Sequence, residues 1–111
     1  MKCIGLAFAL ALLASTANAQ GITIEAGKLD CGQWAKARKE QSSSHYETFI
    51  VGFLNGLALG RDIEFWQPRG KPNISWDSVQ LWMDSYCQKK PLELALTGAI
   101  KLFNERSGWQ P

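Results

Sequence analysis

Three kinds of side chain in this sequence have the types and spacing to do chemistry: the cysteines, the single histidine, and a close pair of carboxylates. Cys3, Cys31 and Cys87 are the cysteines. Cys3 lies inside what reads as a cleavable export signal, so processing leaves an even pair. In an oxidising compartment Cys31 and Cys87 are expected to join as a disulfide. The bridge closes a loop of 57 residues counted inclusively. On the chain-entropy model it contributes about 4 kcal/mol to a typical total of 5–15.

His45 is the one histidine. As a general base it would need an oriented nucleophile, and no G-x-S-x-G elbow occurs. A metal site would need converging His, Cys, Asp or Glu ligands, which one histidine and two oxidised cysteines do not supply. Asp62 and Glu64 are spaced to act as carboxylate acid and base, but nothing nearby supports them, and they read as a solvated acidic loop. Asn73-Ile74-Ser75 fits the glycosylation sequon, although Ser75 is already suited to cap a helix. There is no phosphate loop and no nucleotide fingerprint. The expectation is a protein with no catalytic residues, no metal and no cofactor.

These residues sit on a pattern of four helices. Asp30 is placed to cap a short helix over 31–40, with Trp34, Ala35 and the stem of Arg38 as its thin apolar face. Ser44-x-x-Glu47 has the form of a capping box, followed by Tyr46, Phe49, Ile50, Phe53 and Leu57 at helical spacing. Gly52, Gly56 and Gly60 recur on one stripe of that second helix. Each interior glycine costs about 1 kcal/mol against alanine. The natural compensation is a neighbouring helix too close for a side chain, with Gly60 doubling as the helix stop. Ser75 caps a third helix over 76–88, with Val79, Trp82, Met83 and Tyr86 inward. Pro91 is placed to open a fourth helix running to about Glu105. Its inward face is Leu92, Ala95, Leu96, Ala99, Ile100 and Phe103, and Ser107-Gly108 ends it. The fold class is therefore all-α: a small four-helix domain with one disulfide, behind a cleaved signal peptide.

The signal is read from Lys2, the apolar run Ile4 to Ala14, and an A-x-A pattern ending at Ala19. That run is too short for a bilayer of about 30 Å. Residues 1–19 are expected to be removed and 20–111 to form one domain in the periplasm or outside the cell. Removal of 19 residues from 111 leaves 92, a size that buries only about 60–65% of its unfolded surface. The leader Gln20 to Lys28 reads as extended through Ile22-Thr23-Ile24. Without Lys2 the balance is 11 basic against 10 acidic residues. No field-driven partner is implied, neither nucleic acid nor an anionic membrane. Of the five tryptophans, some are expected in the core, since so small a domain has little else to bury, and others at the surface, where tryptophan tends to anchor partners.

The long irregular segment Arg61 to Ile74 is punctuated by Pro68, Gly70 and Pro72. Connections of this length are uncommon in compact domains unless they have a role. Phe65-Trp66 forms an apolar pair within it, surrounded by Arg61, Asp62, Glu64, Arg69 and Lys71, as a polar rim surrounds an interface anchor. Arg61, Asp62, Glu64, Phe65, Trp66 and Arg69 are the expected protein-binding residues. The competing expectation is that Phe65 and Trp66 fold back as a lid over the open end of the bundle.

Cys31-x-x-Trp34, the glycine-rich stretch Gly52-Phe53-Leu54-Asn55-Gly56, Val79 with Tyr86-Cys87, and the turn Lys89-Lys90-Pro91-Leu92 before a terminal apolar helix form a familiar order. In these the whole mature chain resembles the Rap/Tai immunity proteins, small exported helical proteins that neutralise cell-wall amidase toxins delivered by type VI secretion. The segment Val79 to Phe103 carries most of the likeness. The chain departs from that group in lacking further cysteines, including one near the C-terminus, where it has Trp109-Gln110-Pro111. No site residue is carried over. Cys31-x-x-Trp34, Gly52-Phe53 and Cys87 also resemble the HdeA/HdeB acid-stress chaperones. The first resemblance implies a periplasmic protein that binds one toxin through a rigid surface. The second implies binding of unfolded clients on acidification. A homodimer is compatible with both.

Overall fold

The computed structural model describes residues 28–110. The expected export signal, the cleavage before Gln20 and the extended stretch Ile22-Thr23-Ile24 lie outside the described residues. Within them the chain forms α1 (Cys31–Lys39), α2 (Ser44–Arg61), α3 (Trp76–Lys89) and α4 (Ala95–Ser107). The chain is all-α with one disulfide: among the described residues the only β-pairing is an isolated antiparallel bridge between Asp30 and Leu94. α1 packs on α3, α3 on α4, and α4 on α2.

α1 starts where its cap directs. The Asp30 carboxylate accepts the Gln33 amide at 2.7 Å, and the Gln33 side chain accepts the Asp30 amide at 3.0 Å, a reciprocal capping box. Its buried face is Cys31, Trp34 and Ala37. Cys31 bonds Cys87 across to the last turn of α3, with the Cα atoms 4.7 Å apart.

The N-terminus of α2 differs from expectation. Ser43 is the N-cap and makes no side-chain capping bond. Glu47 does not turn back to the helix end; its carboxylate accepts from the Arg38 guanidinium at 2.9 Å and from Gln80. With Ser43 as N-cap, Glu47 falls one position past the third helical residue, out of capping-box register, which leaves its carboxylate to the ion pair. The helix also runs past Gly60. Asp62 takes the left-handed conformation instead, at φ 53°, and the Ile63 amide closes the turn on the Ala58 carbonyl at 2.9 Å. A short polar side chain tolerates that region where most residues do not.

Ser75 caps α3 as expected, accepting the Ser78 amide at 3.1 Å. Val79, Met83 and Cys87 are its buried stripe. α4 begins four residues later than Pro91. The intervening backbone is already engaged: the Glu93 carbonyl accepts the Cys31 amide at 2.8 Å, and the Ala95 amide donates to the Leu29 carbonyl at 2.9 Å. Those bonds fasten the chain entering α1 to the corner between α3 and α4. Leu92, expected inward, is 96% exposed. Around the Cys31–Cys87 bridge and Leu29, the core comprises Trp34, Ile50, Leu54, Phe65, Val79, Met83, Ala95, Ala99, Leu102 and Phe103.

The glycine stripe of α2 does not face a helix. A Cβ placed on Gly52, Gly56 or Gly60 would meet nothing within 4 Å. The close approach belongs to Gly98 on α4, where a Cβ would stand 2.6 Å from the Tyr86 ring of α3. The two positions predict opposite responses to the same substitution. Gly56→Ala should stabilise the domain by about 0.5–1 kcal/mol, since it only restricts the unfolded chain and improves helix propensity. Gly98→Ala should destabilise by about 1–3 kcal/mol through overpacking against Tyr86. Urea denaturation midpoints of both variants check this. A destabilised Gly56→Ala, or a Gly98→Ala at the wild-type midpoint, would contradict the packing described.

Candidate protein-binding face

The segment after α2 is built around Phe65. It is fully buried, stacked on Phe103 of α4 at 5.3 Å with the rings 11° from parallel. Arg106 clamps the backbone around it. Its guanidinium donates to the carbonyls of Phe65 and Pro72, each at 2.7 Å, and lies 5.7 Å above the Phe65 ring. Lys71 closes the figure by donating to the Arg106 carbonyl at 2.7 Å. The Glu64 carboxylate accepts the amides of Trp66 and Gln67 at 3.1 and 2.8 Å, tightening the turn.

The six expected binding residues therefore separate. Phe65 is core and is closed to a partner, which corrects its placement as an interface anchor; its ring is taken up between Phe103 and the Arg106 guanidinium. Arg61 is held within the chain: it donates to Asn104 at 2.9 Å, and its guanidinium stacks 3.6 Å over Trp109. Glu64 orders its own turn. Asp62 and Arg69 are exposed, and Trp66 is half-buried. Trp66 packs edge-on to Phe65, and its indole donates to Asn55 of α2 at 2.7 Å. The lid expectation thus describes Phe65, while Trp66 stays at the surface in a fixed orientation.

That orientation places Trp66 beside the outward face of α2. Gly52, Asn55, Gly56, Leu59 and Gly60 make up this face, and all five are exposed. Leu59 is 84% exposed, at the rim of a shallow cleft it shares with Ala58, Asp62, Ile63 and Glu64. The glycines leave a low strip of backbone, with Trp66 held at Asn55 beside it and Leu59 rising from it. Leu59 and Asn55 were not singled out by sequence reasoning. Their signal was present: each falls on the glycine stripe's side of α2 rather than on its Ile50–Leu54 side.

The opposite end of the molecule is locked by a polar network that no sequence motif announced. Arg38 of α1 donates to Asp84 of α3 through Nε at 3.0 Å and Nη2 at 2.9 Å, and to Glu47 of α2 through Nη1. The buried Trp34 indole donates to the same Asp84 at 2.9 Å. Hydrogen bonding to Asp84 pushes the Arg38 guanidinium above its usual range, against the opposing effect of burial. Three helices are joined through one side chain.

His45 is exposed at the first turn of α2, edge-on to Tyr46 at 5.8 Å. Among the described residues no three His, Cys, Asp or Glu side chains converge as a metal site would require. Among the same residues, no helix is long and apolar enough to cross a membrane. Comparison of the chain with protein-family models, curated proteins and solved structures gives no significant match.

Proposed function

We propose that the protein is an exported binding module of the immunity type, which docks a folded toxin of the cell-wall amidase class on the outward face of α2. The observation that carries this reading is the stripe Gly52, Gly56 and Gly60. Among the described residues nothing uses their lack of side chains, yet Gly52 and Gly56 each cost about 1 kcal/mol against alanine in the helix interior. In a domain of this size that is a substantial loss. A partner whose backbone seats against the strip would account for it. Leu59 and Trp66 supply the apolar contacts such a partner needs, and aromatic anchors with a polar rim are typical of interface centres.

A toxin-blocking role also needs a surface that holds its shape. The disulfide, the Arg38 network and the Arg106 clamp provide that rigidity. The resemblance to Rap/Tai proteins points the same way.

The test is periplasmic co-expression with each of two representative cell-wall amidase toxins of type VI secretion. Wild type should restore growth and form a stoichiometric complex. Gly56→Leu should fold, since its side chain projects into open space, and should lose rescue. No rescue and no complex with either amidase would overturn the immunity reading. Suppression of client aggregation at acid pH, without either, would assign the protein to the chaperone class instead.

A further inference from the structure

Away from the α2 face, α3 and α4 enclose a cleft of about 190 Å³ lined by Trp82, Ser85, Tyr86, Lys89, Lys90 and Lys101. Its wall is aromatic. Trp82 and Tyr86 stack with their centroids 5.4 Å apart and their planes 9° from parallel. Gly98 fixes that wall, because only a residue without a Cβ allows the Tyr86 ring to lie against α4. The charged side chains that line it are all cationic. Lys89 in the last turn of α3 and Lys90 just beyond complement a helix C-terminus in the ordinary way. Lys101 does not: it lies in the middle of α4, and its nearest carboxylate, Glu105, is 4.0 Å away with both side chains more than half exposed. An ion pair of that kind is worth little. Burial, and to a smaller extent the Glu93 carboxylate, raises the Tyr86 phenol above its usual range. Neither Glu93 nor Glu105 lines the cleft.

Small-molecule sites combine an apolar, often aromatic, wall with a few placed polar groups, and typically measure about 300–1,000 Å³. This cleft is smaller and takes a single ring. We infer that it binds one ring of an acidic sugar, its C–H face against the Trp82 indole, its rim against the edge of Tyr86, and its carboxylate among Lys89, Lys90 and Lys101. Ser85 is placed to meet a ring hydroxyl. The inference is independent of the α2 face, which lies on another helix and recognises protein.

Titration of the folded protein with glucuronate tests it, followed through the Trp82 indole resonance and tryptophan fluorescence. Glucose serves as the neutral control, a glucuronate oligosaccharide as the polymer form, and an acidic peptide containing phenylalanine as the protein-like competitor. Glucuronate should give a saturable shift at Trp82, with glucose at least about tenfold weaker, a difference of about 1.4 kcal/mol. Tighter binding of the oligosaccharide would identify a polymer as the source, and equal binding a free sugar acid. Trp82→Ala should abolish glucuronate binding as measured by calorimetry, and Lys101→Gln should weaken the Trp82 shift. Lys101 is exposed, so the second variant keeps the test valid if the first does not fold. Equal binding of glucose, binding of the peptide alone, an unchanged affinity in Lys101→Gln, or no saturable shift would each overturn the inference.

Discussion

Phe65→Ala is expected to destabilise the protein by about 3–5 kcal/mol, the range for removing a buried aromatic ring. Phe65 is fully buried against Phe103, and its carbonyl is one of the groups that Arg106 holds. The substitution therefore opens a cavity and loosens the clamp above it. For a domain of 60–100 residues each kcal/mol shifts the melting temperature by about 4–8 °C, so a fall of at least about 12 °C is expected by calorimetry. Trp66→Ala should differ in kind. Its ring is half-buried and its one polar bond is to Asn55. The loss of stability should be smaller, and binding of the proposed partner should fall by at least about 2 kcal/mol if the indole is an anchor. A Phe65→Ala variant melting near the wild-type temperature would show that the segment after α2 is not part of the core.

Loss of the Cys31–Cys87 bond is expected to cost about 4 kcal/mol. The sequence separation of 56 residues makes the closed loop long, and the entropy removed from the unfolded chain grows with loop length. The Cys31→Ala/Cys87→Ala double variant measures this without an added reductant. Its urea midpoint should fall far below that of the oxidised wild type, and a variant starting near the lower end of the usual 5–15 kcal/mol would be close to unfolding at room temperature. A difference under about 1 kcal/mol would mean that the unfolded chain is already constrained without the bridge.

Local signals in the sequence located the helices well. Asp30 and Ser75 cap α1 and α3 where expected, and Gly108 ends α4 in the left-handed conformation at φ 70°. What stayed hidden depends on contacts between distant residues. Pro91 was suited to open a helix, but pairing of 93–95 with 29–31 took the backbone first. Glu47 fitted a capping box with Ser44 as the cap, but with Ser43 in that place it falls out of register and meets Arg38 and Gln80 instead. Periodicity found the glycine stripe but was silent on which side of α2 would be covered. Gly98 carries no such stripe, and only the position of Tyr86 gives it meaning. Of the candidate site, Trp66 was visible as an aromatic residue in a loop. The burial of Phe65 depended on Phe103 and Arg106, which no local pattern places beside it. The clamp residues Arg106 and Asn104 lie about 40 positions from what they hold.

α1 has nine residues, and an isolated helix of that length is marginal in water. Here it is riveted to α3 twice, covalently through Cys31 at its first turn and by the forked Arg38–Asp84 contact at its last. The shortest helix among the described residues is thus tied to its neighbour at both of its ends. Local fraying, which usually begins at short terminal elements, is blocked at both ends. α1 and α3 open together, as one slab, or not at all.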